Sequence, residues 1–126
     1  MHFSQVMQQF GADKPDSVII EVPTQWGQGR AVFGGMAAAL AMAHLLPVIQ
    51  QNMPLRSVSV SFVAPLNTGQ ASVQRCILRQ GKSVIQAQVN IEQDGQVALV
   101  LLASFGAPRP SAHQLNADTA PQWPAA

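Results

Sequence analysis

Residues 36–46 read Met-Ala-Ala-Ala-Leu-Ala-Met-Ala-His-Leu-Leu; they follow Gly34 and Gly35 and precede Pro47. Alanine, leucine and methionine are strong helix formers and proline kinks or ends a helix, so this stretch predicts one helix. A half-exposed helix would show a polar stripe at a spacing of 3.6 residues, whereas this stretch is apolar on every side. We therefore expect the helix to lie at the centre of the fold, surrounded by other elements.

Five other stretches have the composition of β-strands. The first is β-branched and ends before Pro23, and the other four follow the helix; they are residues 17–22, 55–63, 71–79, 83–92 and 96–105. Short turn signals, of which Asp94-Gly95 is typical of a two-residue hairpin, predict antiparallel neighbours. The order of elements predicts an α+β fold in which a curved antiparallel sheet of five to six strands wraps around one long apolar helix.

Alternation of apolar and polar residues predicts which side of each strand is buried. In residues 55–63, Val58, Val60 and Phe62 share one face against three serines, and residues 83–92 alternate in the same way. Residues 96–105 are apolar on both faces, which predicts a place inside the sheet or at a contact between subunits. We expect Cys76, in a predicted strand, to be a small core residue.

The chain has 126 residues, which is the size of one domain. We assign residues 1–106 to that domain, beginning with a short helix at residues 3–10, and residues 107–126 to an irregular tail rich in proline and alanine. Charged residues make up only 10% of the sequence, against roughly 25% in an average domain. We expect another copy of the chain to cover part of this surface, in a homodimer or homotetramer.

Several classes of function are excluded by the composition. The formal net charge is +1 and the seven basic residues are scattered, so a nucleic acid partner is not expected. No apolar run reaches the roughly 18 residues of a membrane span, and a lone cysteine without a signal peptide predicts a cytoplasmic protein. The sequence has no zinc-type Cys/His cluster, phosphate-binding loop or Gly-x-Ser-x-Gly motif, and we expect neither a metal nor a cofactor.

Four stretches of the sequence together resemble the acyl-CoA thioesterase II-like proteins, which have the hotdog fold. They are residues 26–35 before the helix, 56–65 with a Phe-x-x-Pro element, 78–83 with an Arg-x-Gly-Lys-Ser turn, and 103–106 followed by Arg109. Members of that family usually carry two hotdog repeats, and this chain resembles the N-terminal repeat. The resemblance implies an acyl-CoA or related thioester as ligand, and a place in fatty acid metabolism.

The resemblance also implies thioester hydrolysis, in which negative charge develops on the carbonyl oxygen. Backbone N–H groups of Gly34 and Gly35 at the start of the helix could stabilise that charge. Alternatively, the two glycines only allow the helix to pack closely on the sheet, and both interpretations stay open. For such a ligand, Trp26 and Phe33 could cover the pantetheine or acyl chain, Arg30, Arg79 and Lys82 could meet the phosphates, and Ser83 could orient water or an amide of pantetheine. Each could instead be an ordinary structural or solvated residue.

The acid/base group of the predicted site is less clear. Related hotdog thioesterases that begin the helix with His-Gly-Gly place a carboxylate further along it, whereas here Phe33 and Met42 stand at these two positions. His44 is the only titratable residue of the predicted helix and is a candidate general base; the alternative is a histidine that is simply hydrogen-bonded at a subunit contact. We expect a thioesterase-like homo-oligomer that hydrolyses or binds fatty acyl-CoA, or alternatively a non-catalytic acyl-thioester-binding module, or a subunit that needs a partner repeat.

Overall fold

Residues 7–22 and 34–108 are described by a computed structural model of the chain. In chain order the elements are β1 (Ser17–Val22), α1 (Gly34–Leu45), β2 (Leu55–Phe62), β3 (Gly69–Gln80), β4 (Val84–Gln93) and β5 (Gln96–Gly106). The predicted helix and five strands are thus confirmed to within about two residues at each end. The sheet has five strands among the described residues, and no sixth strand is found there.

The expectation of a long helix is not confirmed. Helix α1 has 12 residues, which is an ordinary helix length, and a 3-10 turn of three residues (Leu46–Val48) continues it. Pro47 lies at the start of that turn, where its missing N–H group costs no hydrogen bond. The proline therefore ends the α-helix, as the sequence indicated.

All strands of the sheet pair antiparallel in the order β1-β3-β4-β5-β2. At the β4–β5 hairpin, Asp94 and Gly95 both have positive φ (54° and 79°), which is the backbone that an Asp-Gly turn favours. Strand β5 has a neighbour on both sides and is therefore an internal strand, which is one of the two places that its apolar residues predicted. One helix against a five-stranded antiparallel sheet in this order is the hotdog fold.

The core lies between α1 and one face of the sheet. Residues of α1 at the spacing of one helix face are buried: Ala37, Leu40, Ala41, His44 and Leu45. They pack above the alternate residues of β4 and β5, which the register places side by side: Ile85, Ala87, Val89, Ile91, Leu99, Leu101, Ala103 and Phe105. The buried face predicted for β4 is therefore confirmed.

The other face of α1 corrects the expectation of a helix that is surrounded on every side. Ala38, Ala39, Met42 and Ala43 are only half-buried. A single sheet can cover one side of a helix and no more, so this apolar face remains partly open within one chain.

Strand β2 also departs from the sequence-based prediction, because neither of its faces is buried. The register pairs Val58 with Ala103 and Phe62 with Leu99, which places both side chains on the same side of the sheet as α1. Even so, Val58 is 47% exposed and Phe62 is 60% exposed. The reason is that β2 is an edge strand, and the helix covers the middle of the sheet.

In β3 the residues with odd numbers from Ala71 to Arg75 face the core, and Cys76 therefore does not. Val73 and Arg75 point toward the core, and Cys76 is exposed on the opposite face. The prediction of a core cysteine is therefore wrong, and the buried position belongs to Arg75, which is only 5% exposed.

Several sequence-based predictions lie wholly or partly outside the described residues. They are the helix at residues 3–10, of which a helical turn is described from Met7 onward, the loop that contains Trp26, and the tail at residues 107–126, of which two residues are described.

Candidate functional site

A pocket of about 540 Å³ opens where α1 begins. Its walls are the first turn of α1, the segment that leaves β2 and the start of β5; the lining residues are Gly34, Ala37, Phe62, Val63, Ala64, Pro65, Leu66, Ala98 and Leu99. None of these side chains is charged or polar. Such a lining fits an aliphatic group, and the first N–H groups of α1, which have no partner within the helix itself, lie at the same place.

The Phe-x-x-Pro element of the sequence builds one wall of the pocket. Backbone N–H groups of Val63 and Ala64 both donate to the carbonyl oxygen of Ala98, at 2.9 and 3.2 Å. Pro65 then has no N–H group to continue the pairing, so the strand ends and the chain turns away from the sheet. Leu66 follows that turn; it is buried and also lines the pocket.

The two glycines at the start of α1 have different surroundings. A Cβ atom on Gly34 would lie 3.0 Å from the ring of Phe62, whereas one on Gly35 would meet no atom of the described residues within 4 Å. Gly34 therefore allows close packing of the helix on β2, and Gly35 leaves open space beside an exposed backbone. Of the two interpretations that the sequence left open, packing suits Gly34, and approach of a ligand to the backbone suits Gly35.

His44 lies at the opposite end of α1. At a rise of 1.5 Å per residue, ten residues separate it from Gly34 by about 15 Å along the helix. Its side chain is fully buried, and its Nε2 lies 2.6 Å from the backbone carbonyl of Asp16. This is a structural contact of the kind that the sequence left as the alternative, although it is made within the chain; the general-base role stays a prediction that no contact with the pocket supports.

Arg79, Lys82 and Ser83 lie at the far end of the sheet from the pocket. Arg79 lies at the exposed end of β3, and Lys82 and Ser83 belong to the exposed connection between β3 and β4. The carbonyl of Ser83 accepts a hydrogen bond from the N–H of Ala107 after β5. Seven residues of β2, or about 23 Å, separate the two ends of the sheet. Within one chain, these predicted phosphate-binding residues are therefore not brought together with Gly34 and Gly35.

Trp26, Arg30 and Phe33 lie outside the described residues, and their part in the site stays a prediction. Met42, at the position of the related thioesterases' carboxylate, is half-buried and packs against the core. The sequence reasoning did not identify Ala37 and Ala98 as pocket residues, because small side chains carry no chemical signal of their own. The Phe-x-x-Pro element contributed to the family resemblance, but its place in a wall of the pocket was not predicted.

The sequence matches the model of the family described as "Acyl-CoA thioesterase N-terminal domain" over residues 22–106, which is more than half of the chain. The protein therefore belongs to the acyl-CoA thioesterase N-terminal domain family. Comparison with curated proteins found no match. No helix of the described residues is long and apolar enough to cross a membrane.

Solved structures similar to this chain share the fold. An acyl-CoA thioesterase II from Mycobacterium marinum has a TM-score of 0.66 at 16% identity over 84% of this chain and 38% of its own. A hot dog fold protein from Alicyclobacillus acidocaldarius has a TM-score of 0.71 at 20% identity over 87% of this chain and 41% of its own. A Bacillus halodurans protein solved with CoA has a TM-score of 0.65 at 16% identity, covering 87% and 80%.

This chain thus spans about two fifths of the length of the first two structures, and most of the length of the third. At these identities the similarity establishes the hotdog fold, and it does not by itself establish an activity. The membership of the family rests on the sequence match.

Proposed function

We propose that this protein binds fatty acyl-CoA thioesters at the start of α1 and hydrolyses them as a homo-oligomer. The observation that carries the proposal is the apolar pocket at the first turn of α1, beside the exposed Gly35, where a Cβ atom would meet no atom of the described residues within 4 Å. The acyl chain would lie in the pocket, and the thioester carbonyl oxygen would receive hydrogen bonds from the helix start, where the macrodipole favours negative charge. The family to which the chain belongs supports the choice of thioester.

A second candidate function follows from the composition of the pocket. Hydrolysis requires a group that activates water, and none of the described residues that line the pocket can titrate. A chain that binds the acyl thioester without cleaving it, or that needs a partner repeat to supply the acid/base group, therefore remains a candidate. Both functions predict that the protein binds acyl-CoA, and only the first predicts that it hydrolyses the thioester.

The oligomer in the proposal is supported by surfaces that one chain leaves bare. Val58 and Phe62 on β2 are exposed on the helix side of the sheet, and the neighbouring outer face of α1 is apolar and half-buried. Strand β2 is also an edge whose outer backbone groups have no strand to pair with in the described part of the chain. Antiparallel pairing of two β2 strands around a twofold axis would cover all three features.

This pairing would also complete the site. In an antiparallel pair, the Leu55 end of one β2 lies beside the Phe62 end of the other. Because Arg79, Lys82 and Ser83 lie at the Leu55 end of the sheet, they would be brought toward the partner's pocket, where the phosphates of CoA leave it. The proposed site then takes its carbonyl-binding backbone from one chain and its basic residues from the other.

Activity is tested by thiol release from acyl-CoAs of increasing chain length, compared with a buffer blank. Release above the blank supports hydrolysis, whereas binding in calorimetry without release supports the second function. No binding of any acyl-CoA would contradict both functions.

The shared site is tested by mixing two defective variants, Gly35→Ala and Lys82→Glu. If the basic residues act on the partner's pocket, a mixed dimer contains one site with both defects and one intact site, and activity returns on mixing. If they act within their own chain, no intact site forms and mixing restores nothing.

The proposal includes a cytoplasmic location and a role in fatty acid metabolism. Cys76 is unpaired and exposed, which fits a reducing compartment. Metabolite profiling of cells that overproduce the protein would test the metabolic role through a fall in the fatty acyl-CoA pool.

A further inference from the structure

A buried polar cluster at the C-terminal end of α1 has no part in the proposed function. At its centre is His44, whose ring is fully buried and lies 5.5 Å from the ring of Phe10. The carbonyl oxygen of Asp16 can only accept a hydrogen bond, so Nε2 of His44, at 2.6 Å, must carry the proton. Nδ1 is then the unprotonated nitrogen of a neutral ring, and it has no partner among the described residues.

Arg75 of β3 holds the same cluster together from the other side. Its guanidinium donates to the backbone carbonyls of Gly11 (3.1 Å), Lys14 (2.6 Å) and His44 (2.8 Å). It also donates to the Asp16 carboxylate at 3.0 Å, and the backbone N–H of Arg75 donates to the carbonyl of Asp16. One buried cation therefore ties residues 11–16, the end of α1 and the sheet to each other.

A second proton on His44 would be unfavourable in this arrangement. It would sit on Nδ1, which is buried without an acceptor, and it would create a cation close to Arg75. The charged groups that act on the ring are Arg75 from the sheet and Asp16 from the segment before β1, and the Asp16 side chain is 80% exposed. Helix α1 itself contributes no other titratable residue.

The pKa of His44 lies below its ordinary value of 6.5, and burial of the ring is the largest cause. The positive charge of Arg75 also lowers the pKa, whereas the hydrogen bond to the Asp16 backbone and the charge of the Asp16 side chain raise it. The intact cluster therefore favours the neutral form of the His44 ring. When the cluster opens, the ring reaches water and recovers its ordinary pKa.

We propose that His44, Arg75 and Asp16 form an acid-sensitive latch, which holds residues 11–16 over the end of α1 and opens when His44 takes up a proton. The stabilisation supplied by the neutral ring is fully present above pH 6.5 and is lost as the pH falls below 6.5 toward the lower pKa of the closed form. Mild acid thus loosens the end of the helix whose other end begins the pocket.

The latch can be measured on the full chain by amide hydrogen exchange, with each rate divided by the intrinsic rate at the same pH. The probes are the Lys14 N–H, bonded to Gly11, and the Arg75 N–H, bonded to Asp16. If opening exposes a ring of pKa 6.5, their protection falls about tenfold between pH 7.5 and pH 5.5. The Val63 N–H, which is bonded to Ala98 beside the pocket, serves as the control and should keep its protection.

A matched variant separates the histidine from other causes. In His44→Gln the side-chain amide can donate to the same carbonyl and does not titrate, so the tenfold change should disappear. Equal pH dependence in the wild type and in His44→Gln would overturn the latch. Should that variant fail to fold, the NMR titration of His44 in the wild type decides: a midpoint below 6.5 supports the latch, and one at or above 6.5 overturns it.

Discussion

Gly34 and Phe62 are in direct contact across the mouth of the pocket, with no room between them for a methyl group. A Cβ atom on Gly34 would lie 3.0 Å from two atoms of the Phe62 ring. The ring is 60% exposed and can move aside, and alanine is up to about 1 kcal/mol better than glycine in a helix. We expect Gly34→Ala to change the free energy of unfolding by less than about 1 kcal/mol, as measured by urea denaturation.

The same change should alter the pocket even though the fold survives. A displaced Phe62 ring reshapes the wall, and acyl-CoA affinity should fall in Gly34→Ala and recover in part when Phe62 is also changed to leucine. A loss of more than about 2 kcal/mol in stability would mean that the ring is fixed in place.

Gly35→Ala tests the helix start as the carbonyl-binding site. In the part of the chain that the structure describes, no atom lies within 4 Å of the added methyl group, so stability should be kept or slightly raised. If a thioester carbonyl approaches this backbone, the methyl group displaces it, and thiol release should fall by about 100-fold. Activity equal to that of the wild type, in a protein with unchanged thermal stability, would place the reaction elsewhere.

Much of the fold was predictable because strands and the helix leave periodic signals in the sequence. The helix follows from its run of strong helix formers, and the strands and the Asp94-Gly95 hairpin follow from strand-forming composition, alternation and turn chemistry. Helix length and strand burial were harder, because they depend on how far α1 reaches across the sheet. Val58 and Phe62 look like core residues by alternation, and only the strand order shows that they lie at an edge.

The candidate site was predicted in part. The glycines before the helix were identified from the sequence, yet their different surroundings depend on Phe62, a residue 27 or 28 positions away. Arg75 was given no role beyond being one of seven scattered basic residues, although its place in the alternation Ala71, Val73, Arg75 was a signal for an inward side chain. The distances from Gly34 to His44 and to Arg79 could not be read without the topology.

The size of the pocket should limit the length of the acyl chain. Ala98 is buried and lines the pocket, so Ala98→Leu would extend a side chain into it. We expect affinity for long acyl chains to fall about fourfold per excluded methylene, at about 0.8 kcal/mol each, while short chains still bind. Isothermal titration with a chain-length series measures this, and Val100→Leu on the outer face of β5 is the control; an equal loss at every length would contradict it.

Arg75 should stabilise the fold through backbone carbonyls rather than through its ion pair. The Asp16 side chain is 80% exposed, so Asp16→Asn should cost less than about 1 kcal/mol. Arg75→Met would leave three carbonyls without their donor and should cost about 3 kcal/mol or more. Chemical denaturation of both variants compares the two values, and similar losses would show that the ion pair dominates.

The edge strand β2 should be the contact between copies. Val58→Glu places a charge on its bare helix-side face and should shift the protein toward monomer in light scattering, with a loss of activity. Ile19→Glu is the matched control, because Ile19 is 71% exposed on the opposite edge strand. An unchanged mass in Val58→Glu, or dissociation in both variants, would argue against β2 as the specific contact.

The strand order has a consequence for how the chain folds. Among the described strands β2 pairs only with β5, and Leu55 meets Phe105 fifty residues later in the chain. During synthesis β2 must therefore wait until β5 has left the ribosome, while the β3–β4 hairpin can already assemble. Closing such a distant pair is entropically costly and slow, and it leaves a serine-valine strand exposed to other nascent chains until β5 arrives.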